Sequence, residues 1–82
     1  MYIVYVIYNS ECGKMYIGQT INLEERLRQH NEKTFKGFTS RYRGNWSVVY
    51  QEKTKNRSDA IKREKQLKSY RGREYVKKYI PR

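Results

Sequence analysis

Apolar and polar positions divide the chain into short blocks of alternating character. Tyr2 to Tyr8 is β-branched or aromatic at every position, the pattern of a strand covered on both faces. Asn9 to Gly13 is turn chemistry, and Lys14 to Gly18 resumes the strand, so the two runs predict a hairpin. Asn22 followed by Glu25 marks a helix start, and the helix is expected to reach His30 or Lys33. Residues 31–45 are polar, basic and aromatic with little periodicity, and a loop that long in a small chain usually has a function. Trp46 to Glu52 reads as a third strand, with Trp46, Val48 and Tyr50 alternating against Ser47, Val49 and Gln51. Asn56 or Ser58 caps a second helix running to about Tyr70. Gly72 is expected to separate it from a last helix, Arg73 to Tyr79, which Pro81 stops. The order is ββαβαα. The pattern predicts an α+β fold, a three-stranded antiparallel sheet with flanking helices.

Length makes this one small domain, residues 1–82, with a thin core. Composition adds a partner. Nineteen Lys and Arg against eight Asp and Glu leave a formal charge of +11, while 37% hydrophobic residues argue against disorder. The charge is uneven: residues 1–20 are neutral overall, whereas residues 61–82 hold nine bases and two acids. An apolar start and a basic end suggest a buried sheet with a charged skin, which attracts nucleic acid by counterion release. The plain alternative is a solvated basic surface. No run of 18 apolar residues exists to span a membrane, and the apolar start lacks the basic lead and cleavage site of a secretion signal. Cys12 is alone, which excludes an internal disulfide and a cysteine-cluster zinc site. A cytoplasmic protein with a polyanionic partner is expected.

Candidate chemistry follows from the hairpin. If Ser10 faces Gly13, Tyr5 stands opposite Gly18 and Ile7 opposite Tyr16, so Tyr5 and Tyr16 share a face as diagonal neighbours. Gly18 leaves space in front of Tyr5. Two core tyrosines would give the same pattern. In the first helix, Arg26 and His30 border the stripe formed with Leu23 and Leu27. A guanidinium there wants an anion, either a phosphate or a carboxylate. His30 is either a satisfied structural histidine or a catalytic one. In the second helix, Glu64 falls within the stripe of Ala60, Ile61 and Leu67, where a carboxylate needs a cation: Lys68 one turn on, or a metal. No acid–histidine cluster suited to two metals, no Ser-His-Asp set and no glycine-rich phosphate cradle is present.

At these residues the chain resembles the GIY-YIG nuclease superfamily, and most of all its small stand-alone bacterial members of the UPF0213 type. Ile3-Val4-Tyr5 takes the place of the first motif, keeping only its tyrosine, and Tyr16-Ile17-Gly18 is the second motif intact. Arg26 stands ten residues after Tyr16 and His30 fourteen after it, as in the family's helix signature, and Glu64 matches the family's metal-binding glutamate. Trp46 to Tyr50 looks like the third strand of that subgroup.

The resemblance implies a metal-dependent endonuclease acting on nucleic acid, DNA ahead of RNA with RNA left open, and structure-selective in repair or recombination. It implies one Mg²⁺ or Mn²⁺ on Glu64, held against the scissile phosphate. Arg26 neutralises charge on that phosphate, Tyr5 is the candidate general base, Tyr16 bonds water or phosphate, and His30 takes or relays the proton or only orients Tyr5. Lys36, Arg41, Tyr42, Arg43, Lys62, Lys65, Lys68 and Arg71 are expected to follow the nucleic-acid backbone. Phe35, Phe38 and Tyr42 either stack on an unpaired base or pack beneath the loop. A monomer is expected, with a protein partner for specificity left open. The alternative is a non-catalytic nucleic-acid-binding module or a partner-dependent nuclease subunit.

Overall fold

The computed structural model describes residues 1–34 and 37–80; Phe35, Lys36 and the Pro81 stop lie outside the described residues. The elements are β1 (Tyr2–Asn9), β2 (Lys14–Thr20), α1 (Leu23–Glu32), a single 3-10 turn (Phe38–Arg41), β3 (Ser47–Thr54), α2 (Arg57–Lys68) and α3 (Tyr70–Lys77). The strands form one antiparallel sheet in the order β2-β1-β3. It is the α+β fold, ββαβαα, that the apolar pattern predicts.

β1 is apolar throughout because it is central and covered on both sides. Val4 and Val6 pack with Ile17 against Ala60, Leu67 and Val76 of α2 and α3. Tyr5 and Ile7 point the other way, into Trp46, Tyr16, Tyr42 and the α1 leucines, Leu23 and Leu27. Two thin apolar layers therefore share one strand, and all four of these β1 side chains are buried.

The third strand departs from simple alternation. Val6 pairs with Tyr50 and Ile7 with Val48, so Val49 is an extra residue, a bulge. Val48 joins the layer of Tyr5, whereas Val49 and Tyr50 both pack on the layer of Val4 and Val6. Trp46, just before the strand, is buried with Tyr5 and Ile7.

Side-chain amides tie the long loop to the sheet. Buried Asn9 donates from Nδ2 to the Arg43 carbonyl at 2.6 Å, while its Oδ1 accepts from the Glu11 amide at 3.0 Å. Asn31 imitates a strand neighbour for Trp46. Its Nδ2 donates to the Trp46 carbonyl at 3.1 Å and its Oδ1 accepts from the Trp46 amide at 2.6 Å. Lys33 ends α1 in a left-handed conformation (φ 61°), and its ammonium donates to the Gly44 carbonyl at 3.0 Å.

Helix starts follow the capping chemistry. Asn22 and Asn56 accept from the amides three residues on, Glu25 and Asp59. The break between the last two helices lies at Ser69, not at Gly72. Ser69 caps α3 by accepting from the Gly72 amide, and Gly72 lies inside the helix. Its lack of a side chain serves packing, because a Cβ there would overlap the Gln66 carbonyl oxygen and the Leu67 backbone.

Gly72→Ala separates propensity from packing. Helix propensity alone would stabilise the chain by about 1 kcal/mol. Overlap with α2 is expected to reverse the sign, to a net loss of about 2 kcal/mol in urea unfolding. A stabilised variant would show that the two helices stand farther apart.

Candidate functional site

Three elements converge on the hydroxyl of Tyr5. The hairpin pairs Tyr5 with Gly18 and Ile7 with Tyr16, the register expected from closure at Ser10 and Gly13. With no side chain at Gly18, the Tyr5 ring leans across the space. A Cβ there would stand 2.8 Å from the Tyr5 hydroxyl and 3.0 Å from the Tyr16 ring. α1 supplies His30, whose Nε2 lies 3.0 Å from the Tyr5 hydroxyl. The 3-10 turn supplies Thr39, whose Oγ1 lies 2.7 Å from His30 Nδ1. Tyr5, His30 and Thr39 are all buried and form one polar chain through an otherwise apolar layer. Tyr16 closes the group, its ring centroid 5.1 Å from that of His30 and 6.3 Å from that of Tyr5.

Charge frames this chain from both flanking helices. Burial pushes the Tyr5 phenol well above its ordinary value; Tyr16 and Glu64 push the same way, and Arg26 opposes them. Arg26 of α1 and Glu64 of α2 therefore both lie within electrostatic reach of one hydroxyl. Burial likewise drives His30 down to about 4, aided by the Arg26 and Lys33 charges. The imidazole is neutral at physiological pH, with one ring nitrogen able to accept a proton.

Glu64 is half-buried between Ala60 and Leu67, one turn to either side, and pairs with the Lys68 ammonium at 2.6 Å. Of the two cations open to it on sequence grounds, the lysine is present. Among the described residues, no three His, Cys, Asp or Glu side chains cluster as a metal cage. A single carboxylate whose other ligands are water and phosphate oxygens still suits Mg²⁺, which keeps several waters and rarely takes an all-protein cage.

The surrounding candidates scatter. Arg41 and Arg43 are exposed, and the Arg43 carbonyl anchors the loop to Asn9. Tyr42 packs beneath the loop, its ring 5.1 Å from Phe38, with the Lys14 ammonium 5.8 Å above it. Lys62 and Lys65 are exposed on α2, while Lys68 holds Glu64. Arg71 lines a separate depression with Arg63 and Tyr75. Lys36 lies outside the described residues. Sequence reasoning does not single out Thr39, which sits in an aperiodic segment whose only signal is a small hydroxyl among cations.

The GIY-YIG catalytic domain matches residues 1–79, nearly the whole chain. The chain belongs to the GIY-YIG family. Among its relatives, the UPF0213 protein DP2720 of Desulfotalea psychrophila is 37% identical over 76 residues, covering 87% of this chain and 69% of that protein. The solution NMR structure of the UPF0213 protein BH0048 from Bacillus halodurans is similar with a TM-score of 0.52 at 25% identity. That similarity covers 93% of this chain and 82% of the other. GIY-YIG membership makes this a nuclease-type domain with a nucleic-acid substrate class. Among the described residues, no helix is long and apolar enough to cross a membrane.

His30 is the only histidine, so its titration can be read directly. Its folded value of about 4 lies below the ordinary 6.5, so the unfolded chain takes up a proton first as pH falls. Stability is therefore complete above about pH 6.5 and declines toward pH 4, by about 3 kcal/mol in total. The imidazole ¹H and ¹⁵N shifts should stay neutral down to about pH 4. A midpoint near 6.5 in the folded protein would mean that the ring is hydrated.

Proposed function

We propose that this GIY-YIG chain is a divalent-metal-dependent endonuclease that hydrolyses DNA phosphodiester bonds, selecting branched or damaged sites in repair or recombination. It works as a single domain, in the cytoplasm and as a monomer, with a protein partner setting its targets where one is required. The observation that carries this reading is the convergence on Tyr5. A neutral imidazole, a guanidinium and a carboxylate act on one phenol hydroxyl beside the second tyrosine.

Each residue has a role that follows from its surroundings. Glu64 would hold one Mg²⁺ or Mn²⁺, whose charge would stabilise the leaving 3′-oxygen. Lys68 now sits where such a cation would be drawn, so binding the ion means displacing the Glu64–Lys68 pair. Arg26 neutralises charge that accumulates on the scissile phosphate, and its planar fork suits two phosphate oxygens. Tyr16 donates to phosphate or water.

Proton transfer is the harder step. Burial keeps Tyr5 protonated at neutral pH, so the phenol is a poor base by itself. His30 answers this by position. With its Nδ1–H donated to Thr39, Nε2 accepts the Tyr5 proton as Tyr5 takes one from the attacking water. Tyr5 then never becomes a full phenolate, and the positive charge comes to rest on His30 as an imidazolium. Thr39 holds the imidazole in the required tautomer.

The Glu64–Lys68 ion pair favours one second reading, because the carboxylate is already satisfied without a metal. On that reading the chain is a non-catalytic nucleic-acid-binding module, or a subunit that cuts only with a partner.

Cleavage of end-labelled single-stranded, duplex, flapped and four-way-junction DNA, and of RNA, separates the two. It is run with Mg²⁺, Mn²⁺ or EDTA beside Glu64→Gln. The nuclease reading expects metal-dependent cutting that Glu64→Gln abolishes. Salt-sensitive binding without cutting, unchanged in the variant, gives the second reading. Cutting that survives Glu64→Gln removes that residue as the metal ligand.

The proton path has its own test. Tyr5→Phe is expected to cost 10²–10⁴-fold in single-turnover rate, and more than His30→Ala. Relay from a protonated Tyr5 to a neutral His30 uses states that are both filled well above pH 4, so the wild-type rate should stay level between pH 7 and 9 and fall as His30 takes up a proton toward pH 4. A rate that climbs steadily from pH 7 to 9 would make the phenolate the base without the relay, and a larger loss in His30→Ala would move the base from Tyr5.

A further inference from the structure

We infer that the substrate strand is unpaired beside the scissile phosphate, and that one of its bases stacks on Phe38 in a basic groove along the outer edge of β2. This rests on the nuclease reading only for where the phosphate sits; the groove itself is a feature of the surface.

The groove has a volume of about 630 Å³, within the range that takes nucleotide-sized ligands. Tyr16 is one of its lining residues, so the groove adjoins the candidate reaction centre. Lys14, Lys68, Arg73 and Lys77 line it, from β2, α2 and α3. Two of those cations hold neighbouring acids, Lys68 with Glu64 and Lys77 with Glu74. Arg73 has no ion pair among the described residues. The cations in its lining call for an anionic occupant, and the aromatic rings among them for a planar one.

Phe38 decides between a duplex and an open strand. It is 40% exposed, a large apolar ring left at the mouth of a cationic groove. One side is packed: its centroid lies 5.1 Å from Tyr42 and 6.5 Å from Trp46. Its plane lies 23° from that of Tyr16, so the two rings make a stepped platform 6.2 Å between centroids. Phosphates alone need no such platform. Bases in a duplex are stacked on one another and cannot reach it, whereas an unpaired base can, and aromatic stacking accepts any base. Cations along the groove and a ring at its mouth are the two parts of a single-strand site.

The test is equilibrium binding in EDTA, read by fluorescence anisotropy, so that it does not depend on cutting. Probes are a labelled single-stranded oligonucleotide, the same strand built from abasic sugar-phosphate, and a blunt duplex. The wild type is expected to prefer the strand with bases over both others. Phe38→Ala and Phe38→Leu should each lower the preference over duplex about tenfold, and Phe38→Trp should keep it. Phe38→Leu retains apolar volume, so a loss there reports the aromatic face and not packing. Arg73→Ala should weaken all three probes and reduce the single-strand salt slope by about 0.7. Equal binding of the three probes, or a preference that survives Phe38→Leu, overturns the inference. A chain that cuts duplex yet shows no such preference keeps the nuclease reading and loses this one. A chain that cuts nothing but keeps the preference does the reverse.

Discussion

A slip of one residue between β1 and β2 would turn Tyr5 toward α2 and Val4 toward α1, emptying the site and burying its hydroxyl among valines. The register is therefore the constraint on which the rest depends. It is held from both sides of β1. Val4 and Val6 have no polar atom to offer and must face α2 and α3, and the turn from Asn9 to Gly13 fixes the pairing at its closed end. Once that is set, Gly18 falls opposite Tyr5 and the ring has only one direction in which to lean. The position of His30 then matters to within a hydrogen bond, and α1 is held there by Asn22 at its start and Asn31 at its end.

Burial and charge oppose each other at this centre, and burial prevails for the isolated chain. Removing Tyr5 and His30 from water disfavours the charged form of each, phenolate in one case and imidazolium in the other. The two groups are thereby kept neutral and bonded to each other. Arg26 is the opposing influence on Tyr5, and it also makes an imidazolium at His30 less favourable. The arrangement stores a proton acceptor next to a proton donor without leaving a buried charge in the unliganded protein.

Much of this could be read from the chain because local rules and tertiary packing agree. The apolar run of β1, the turn residues after it and the asparagine caps of α1 and α2 are each strong signals taken alone. Hairpin geometry placed Tyr5 and Tyr16 together, and helical spacing brought Arg26, His30 and Glu64 to inward faces. The misses share a cause: they are features made by contacts distant in sequence. Val49 looks like one more alternating position, yet the pairing with β1 makes it a bulge. Gly72 looks like a breaker, yet it lies within α3 because Ser69 provides the cap and α2 comes too close for a side chain. Thr39 carries no periodicity at all, and only the folded loop brings it to His30.

The bulge in β3 also bears on how such a chain can change its length. Ile7 pairs with Val48 and Val6 with Tyr50, so loss of Val49 alone would restore an unbroken ladder and leave every other residue of β3 on its own face. Exchanges of one apolar residue for another keep the offset intact. Over evolutionary time, β3 should lose a residue at the bulge more readily than elsewhere along its length.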